Sequence, residues 1–202
     1  MLIILGVLIF SVMLAFNLPV LYASAKLAAA ESSADTTAEP ERVRIRPFMA
    51  VLILCSGVIP VWMMTHNPML TLFILMLGSA AYIDYVTQWV PDILIFILSW
   101  VSLVALLPGE PNSLRVLAGA AVMILPAIAL NLFTWQRSQP TAFASGDLYI
   151  LPAVGLWLAP EWAGVCMAIS LMLTFIACRY VREVPFITVL FPVFVVVSIC
   201  GA

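Results

Sequence analysis

Residues 68–108, PMLTLFILMLGSAAYIDYVTQWVPDILIFILSWVSLVALLP, contain two apolar runs separated by a single short break. The runs cover 68–90 and 92–108, and their only charges are Asp84 and Asp92. A bilayer core of about 30 Å takes about 20 residues of helix, so each run has the length and character of a membrane segment. Pro91 lacks an N–H, and the reading ends the first helix there and makes Asp92 the N-cap of the next.

The same pattern extends in both directions. Further apolar runs occupy 2–24, 47–64, 114–134, 147–160, 162–179 and 185–201, eight in all. The sixth is short for a full crossing. Of the 202 residues, 65% are hydrophobic and 9% charged, with a mean hydropathy of +1.19. Too few charges exist to cover a water-exposed surface, which excludes an ordinary soluble domain. The fold class expected is therefore all-α: a polytopic membrane protein of about eight transmembrane helices with the lipid bilayer as its main partner. No basic patch with interleaved aromatics exists to bind nucleic acid.

We read the chain as one membrane domain over 1–202. Residues 1–46 form a first helix and a short charged loop, and 47–202 form the core. The first run ends in Ala23-Ser24-Ala25, yet no Lys or Arg precedes it, which favours a retained helix over a cleaved signal. The stretch from Lys26 to Arg46 is polar and reads as a solvated loop. Lys26, Arg42, Arg44, Arg46, Arg137, Arg179 and Arg182 fall in connections on one side, and only Arg115 lies on the other. That side is expected to be cytoplasmic.

Cys55, Cys166, Cys178 and Cys200 lie in or beside apolar runs without CxxC spacing, so they read as small buried apolar residues and not as metal ligands. No metal and no cofactor is expected. The sole histidine, His66, sits in an outward turn.

Of the ten acidic residues, Glu31, Asp35, Glu39, Glu41, Glu110, Glu161 and Glu183 belong to connections. Asp84, Asp92 and Asp147 remain. An Asp near a helix centre costs about 2.5–3.5 kcal/mol to insert, so Asp84 is expected to face a partner or a wet cavity. Asp147 opens the sixth run directly after Gly146, which permits a tight turn. Counting crossings puts all three on one face. Two carboxylates held together share a proton and so supply a base and an acid. Spacing alone leaves other readings open: Asp92 and Asp147 as helix caps, Asp84 as an ion-binding or helix-pairing group, and the protein as a proton- or ion-coupled transporter or a non-catalytic scaffold of a pilus or secretion assembly.

Taken together, IDYVTQWVPD (83–92) and SGDLYILPAVG (145–155) resemble the two motifs of the type IV prepilin peptidases, GxGD-class intramembrane aspartic proteases. Asp84, Pro91 and Asp92 match the first motif, and Ala144-Ser145-Gly146-Asp147 followed by Gly155 matches the second. Val184-Pro185-Phe186 is similar to a further family segment before the last helix. The resemblance implies a catalytic pair, Asp84 and Asp147, supported by Asp92, Pro91 and Gly146, with no cofactor. Its implied substrate is a prepilin or pseudopilin precursor with a short basic leader, cut at the inner membrane. Ala144 replaces the first Gly of the motif, and Tyr149 stands where bacterial members commonly have Lys. Longer members carry a Cys-rich cytoplasmic domain associated with N-methylation. The loop here is short and has no Cys, so methyltransferase activity is not expected.

Overall fold

A computed structural model describes residues 2–32, 45–106, 113–139, 141–181 and 184–201. Among these residues all regular structure is helical. The elements are α1 (Leu2–Ser32), α2 (Pro47–Thr65), α3 (Pro68–Thr87), α4 (Asp92–Leu106), α5 (Ser113–Gln136), α6 (Ser145–Gly155), α7 (Pro160–Ala177) and α8 (Phe186–Cys200).

Each apolar run became one helix, but the lengths differ. Segments in α1, α2, α3, α5 and α7 are long and apolar enough to cross a membrane, whereas α4 and α8 have 15 residues each and α6 has 11. The expectation of eight membrane helices thus becomes eight helices of which five have crossing length. α1 continues to Ser32, beyond the expected end at residue 24 and into the stretch read as loop. Glu39, Glu41, Glu110 and Glu183 lie outside the described residues, as does most of the polar loop.

Local chemistry explains the starts. Pro47, Pro68 and Pro160 occupy the first turns of α2, α3 and α7, where a missing N–H costs nothing. Asn67 caps α3, its side chain accepting from the N–H groups of Met69 and Leu70 at 3.0 and 3.2 Å. α3 ends at Thr87, before Pro91, because Gln88 turns left-handed with φ 53° and its N–H returns to the Asp84 carbonyl at 2.9 Å. Pro91 therefore does not stop α3. It leads into α4 instead, its carbonyl accepting from Leu94 and Ile95.

α3 is the centre of the bundle, with Phe73, Ile74, Leu77, Ala80, Ala81 and Tyr82 fully buried. α2, α4 and α8 pack around it, and α5 packs against both α6 and α7. α8 approaches closely because Gly57 on α2 and Gly78 on α3 leave space for the Phe191 ring. A Cβ on Gly78 would lie 3.1 Å from that ring, and one on Gly57 would overlap it. α5 and α6 meet through another glycine pair. A Cβ on Gly155 would come within 2.6 Å of the Gly119 carbonyl oxygen and 2.7 Å of Ala120 Cα. Neither helix can carry a side chain at this crossing.

Ser102 on α4 ties two neighbours together. It donates to the Ala153 carbonyl at 3.0 Å and accepts from Trp157 Nε1 at 3.0 Å, so its buried hydroxyl is satisfied. At the far end of the bundle, Arg115 and Glu161 form an exposed pair at 3.6 Å. His66 closes α2 in a left-handed conformation and packs edge-on to Trp62 at 5.7 Å.

Candidate active site

Alternation of the helices brings six helix ends around one pocket at one end of the bundle. The end of α3, the start of α4, the α5–α6 connection, the end of α7 and the start of α8 surround a pocket of about 680 Å³. Asp84, Asp92 and Asp147 all line it, as do Gln88, Trp89, the 141–146 segment, Thr174, Cys178 and Val184–Phe186. Crossing parity had predicted this shared face. His66 terminates α2, which starts at the pocket end, so it stands away from the acids.

The three carboxylates have different settings. Asp84 is buried, at 6% exposure, one turn before the end of α3. Its Oδ2 accepts from the backbone N–H of Ile187 at 3.1 Å. Pro185 occupies the N-cap of α8 and offers no capping side chain, so Asp84 supplies the missing acceptor from another helix. Beside it, Thr188 Oγ1 donates to the Ala81 carbonyl at 2.9 Å. Two bonds thus fix the start of α8 to the end of α3.

Asp147 is half-buried and is the third residue of α6, whose N-cap is Ala144. It is therefore a residue of the first helical turn and not itself the cap. A carboxylate in this turn is favoured by the unpaired N–H groups at the helix start. Gly146 also lies within the helix, and the turn that follows α5, at Arg137–Ser138, comes earlier. A Cβ at Gly146 would meet only Ile95 Cδ1 at 3.8 Å, an ordinary contact, so the tight-turn role expected of this glycine is not what the fold requires.

Asp92 is exposed at the start of α4. The helix is entered through the Pro91 carbonyl, and Asp92 is its first residue, so the expected N-cap shifts by one position. Among the described residues its carboxylate has no hydrogen-bond or ion-pair partner. No group of three or more His, Cys, Asp or Glu side chains among the described residues could hold a metal ion.

Sequence reasoning missed several residues that shape the pocket. Asn131 on α5 holds Phe143 by two bonds, its Oδ1 accepting from the Phe143 N–H at 2.8 Å and its Nδ2 donating to the Phe143 carbonyl at 3.0 Å. Phe143 packs edge-on to Phe186, centroids 4.8 Å apart. A polar Asn inside the run 114–134 was the available signal. Arg46, at the start of α2, donates to the Tyr85 hydroxyl at 2.8 Å and thereby joins α2 to the pocket end of α3.

A buried carboxylate thus shares one pocket with two further acids at the end of a helical bundle that contains membrane-length segments. The sequence profile of the type IV leader peptidase family matches residues 71–201, and the chain belongs to that family. The matched region begins within α3 and includes all three acids and the whole pocket. Comparison with curated proteins and with solved structures finds no match.

Proposed function

We propose that this protein is an aspartic endopeptidase that removes the short basic leader from type IV prepilin-like precursors at the cytoplasmic face of a bacterial inner membrane. Family membership supports the peptidase activity. The observation that carries the aspartic mechanism is that Asp84 and Asp147, on α3 and α6, line one pocket at the end of the bundle.

In this reading the pair carries one proton. The ionised carboxylate takes a proton from a water molecule as its oxygen attacks the scissile carbonyl carbon. The protonated carboxyl donates to the carbonyl oxygen, where negative charge develops. The tetrahedral intermediate collapses with cleavage of the C–N bond, and the amine leaves with a proton from the pair. Water is consumed, and no metal or cofactor takes part. Activity falls at low pH, where both carboxyls are protonated, and at high pH, where both are ionised.

The position of the pocket suits the substrate. A precursor helix lying in the bilayer, with its basic leader on the cytoplasmic side, presents the cleavage point at a membrane face. Asp92 lines the site, and Pro91 supports it from behind by starting α4, its carbonyl accepting from the Leu94 and Ile95 N–H groups.

The test is reconstitution of the purified protein with a prepilin-like precursor, followed by mass spectrometry. Expected is a product shortened by its leader, with an unmethylated N-terminal amine. An uncut precursor across several candidate substrates overturns the reading. A methylated product from the purified protein alone overturns the expectation that only peptidase activity is present.

A further inference from the structure

We propose that Asn131 is a positioning residue for the reaction, fixing Asp147 relative to Asp84 by clamping the peptide groups of Phe143. The inference rests on the aspartic reading above.

Asn131 is not among the residues that line the pocket. Its side chain instead spends both polar functions on a single residue: Oδ1 takes the Phe143 N–H and Nδ2 gives to the Phe143 carbonyl. Only one orientation of the amide satisfies both, and two bonds to one residue fix its direction as well as its distance. Phe143 is followed directly by Ala144, the N-cap of α6, which has no side-chain acceptor to hold the helix start. The first backbone bond of α6, from Leu148 to Ala144, is long at 3.4 Å. Within α6 the first turn is held by the Asp147 carboxylate itself, which accepts from the Ala144 backbone N–H, and that N–H belongs to the same peptide group as the Phe143 carbonyl that Asn131 holds. Asn131 anchors this peptide group from α5.

The same clamp reaches the second carboxylate. The Phe143 ring packs on Phe186, and the next residue, Ile187, donates its N–H to Asp84. A continuous set of contacts therefore runs from Asn131 through Phe143 and Phe186 to Asp84. The other end of the α5–α6 pair is fixed by the Gly119–Gly155 crossing. Between Gly119 and Asn131, α5 advances about 18 Å at 1.5 Å per residue, about the length of the 11-residue α6, so the two attachments lie near its two ends. Loss of one attachment frees the end that carries Asp147.

The test uses the full-length protein in detergent with a precursor substrate. In Asn131→Ala, kcat falls about 10- to 100-fold with KM little changed, the signature of a misplaced reacting group. Asn131→Asp keeps the acceptor but sets a carboxylate oxygen against the Phe143 carbonyl; protonation restores a donor there. Its rate relative to wild type therefore recovers as pH is lowered, whereas the relative rate of Asn131→Ala does not. Backbone hydrogen exchange over 141–146 accelerates in Asn131→Ala while α3 and α7 stay unchanged.

Wild-type kcat in Asn131→Ala, or unchanged exchange in 141–146, overturns the proposal. Should Asn131→Ala fail to accumulate, the Asp variant decides, and a pH-independent ratio to wild type overturns it. If the wild-type protein cuts no precursor, the aspartic reading has failed, and the exchange comparison still reports whether Asn131 holds the loop.

Discussion

The carboxylate of Asp84 receives the backbone N–H of Ile187 at 3.1 Å, so one buried side chain lines the acidic pocket and also caps a helix 103 positions further along the chain. Removing this side chain therefore has two separable effects. Asp84→Asn keeps an oxygen to accept from Ile187 and removes the titrating function. Asp84→Ala removes both, leaving a buried N–H unpaired at a cost of about 1–3 kcal/mol. Both variants are expected to abolish leader removal, but only Asp84→Ala should lower the melting temperature in detergent. Asp147→Asn should match Asp84→Asn, and the double Asn variant should be no worse than either, since the pair acts as a unit. Near wild-type cleavage by either single Asn variant would refute the dyad.

Asp92 lines the same pocket but is exposed and lacks a partner among the described residues. We expect Asp92→Asn to retain most activity and all stability in the same assay. A loss as deep as that of Asp84→Asn would move Asp92 into the reacting set.

The glycines make opposite predictions. Gly155→Ala forces a methyl group against Gly119 and Ala120, backbone that cannot rotate away, and overpacking of this kind costs about 1–3 kcal/mol. Thermal stability should fall, and with it activity. Gly146→Ala meets only Ile95 at 3.8 Å and should accumulate and melt like the wild type. Comparing the melting curves of the two variants decides between crowding at the helix crossing and crowding at the motif glycine.

Of the four cysteines expected to be buried, Cys166 is buried and Cys55 half-buried, but Cys178 and Cys200 are exposed, and Cys178 lines the pocket. A bulky maleimide should attach at Cys178 and block cleavage, with precursor protecting against it. The Cys178→Ser variant, whatever its own rate, should lose this sensitivity. Inhibition that persists in the variant would point to Cys200, the other exposed thiol.

Reporters fused in the Lys26–Arg46 loop and near Arg137 should both read cytoplasmic, and one fused near Glu110 should read external. A cytoplasmic signal at Glu110 would contradict the single crossing expected of each of the runs 92–108 and 114–134.

Asp84 and Asp147 were legible because a charge inside an apolar run is costly enough to demand an explanation, and the parity of the runs put them on one face before any coordinates. The partner of Asp84 was not. A backbone N–H leaves no mark in sequence, and only the tertiary fold brings Ile187 to Asp84. Pro91 gave a misleading stop signal because Gln88, a residue with no special turn preference, had already adopted the left-handed conformation. Gly146 attracted notice through its neighbour, while Gly119 and Gly155 carry the steric constraint. Their role depends on which helices touch, and periodicity does not report that. Asn131 was passed over because it is uncharged; its value lies in what it holds.

The Phe191 ring, seated between Gly57 and Gly78, acts as a registration pin for α8. Sliding the helix by one residue would withdraw the ring from its slot and present a different amide to Asp84. Descent should have left a trace of this. Across relatives that keep the ring and both glycines, the chain between Asp84's amide partner and the aromatic pin should keep its length, tolerating neither an inserted nor a deleted residue.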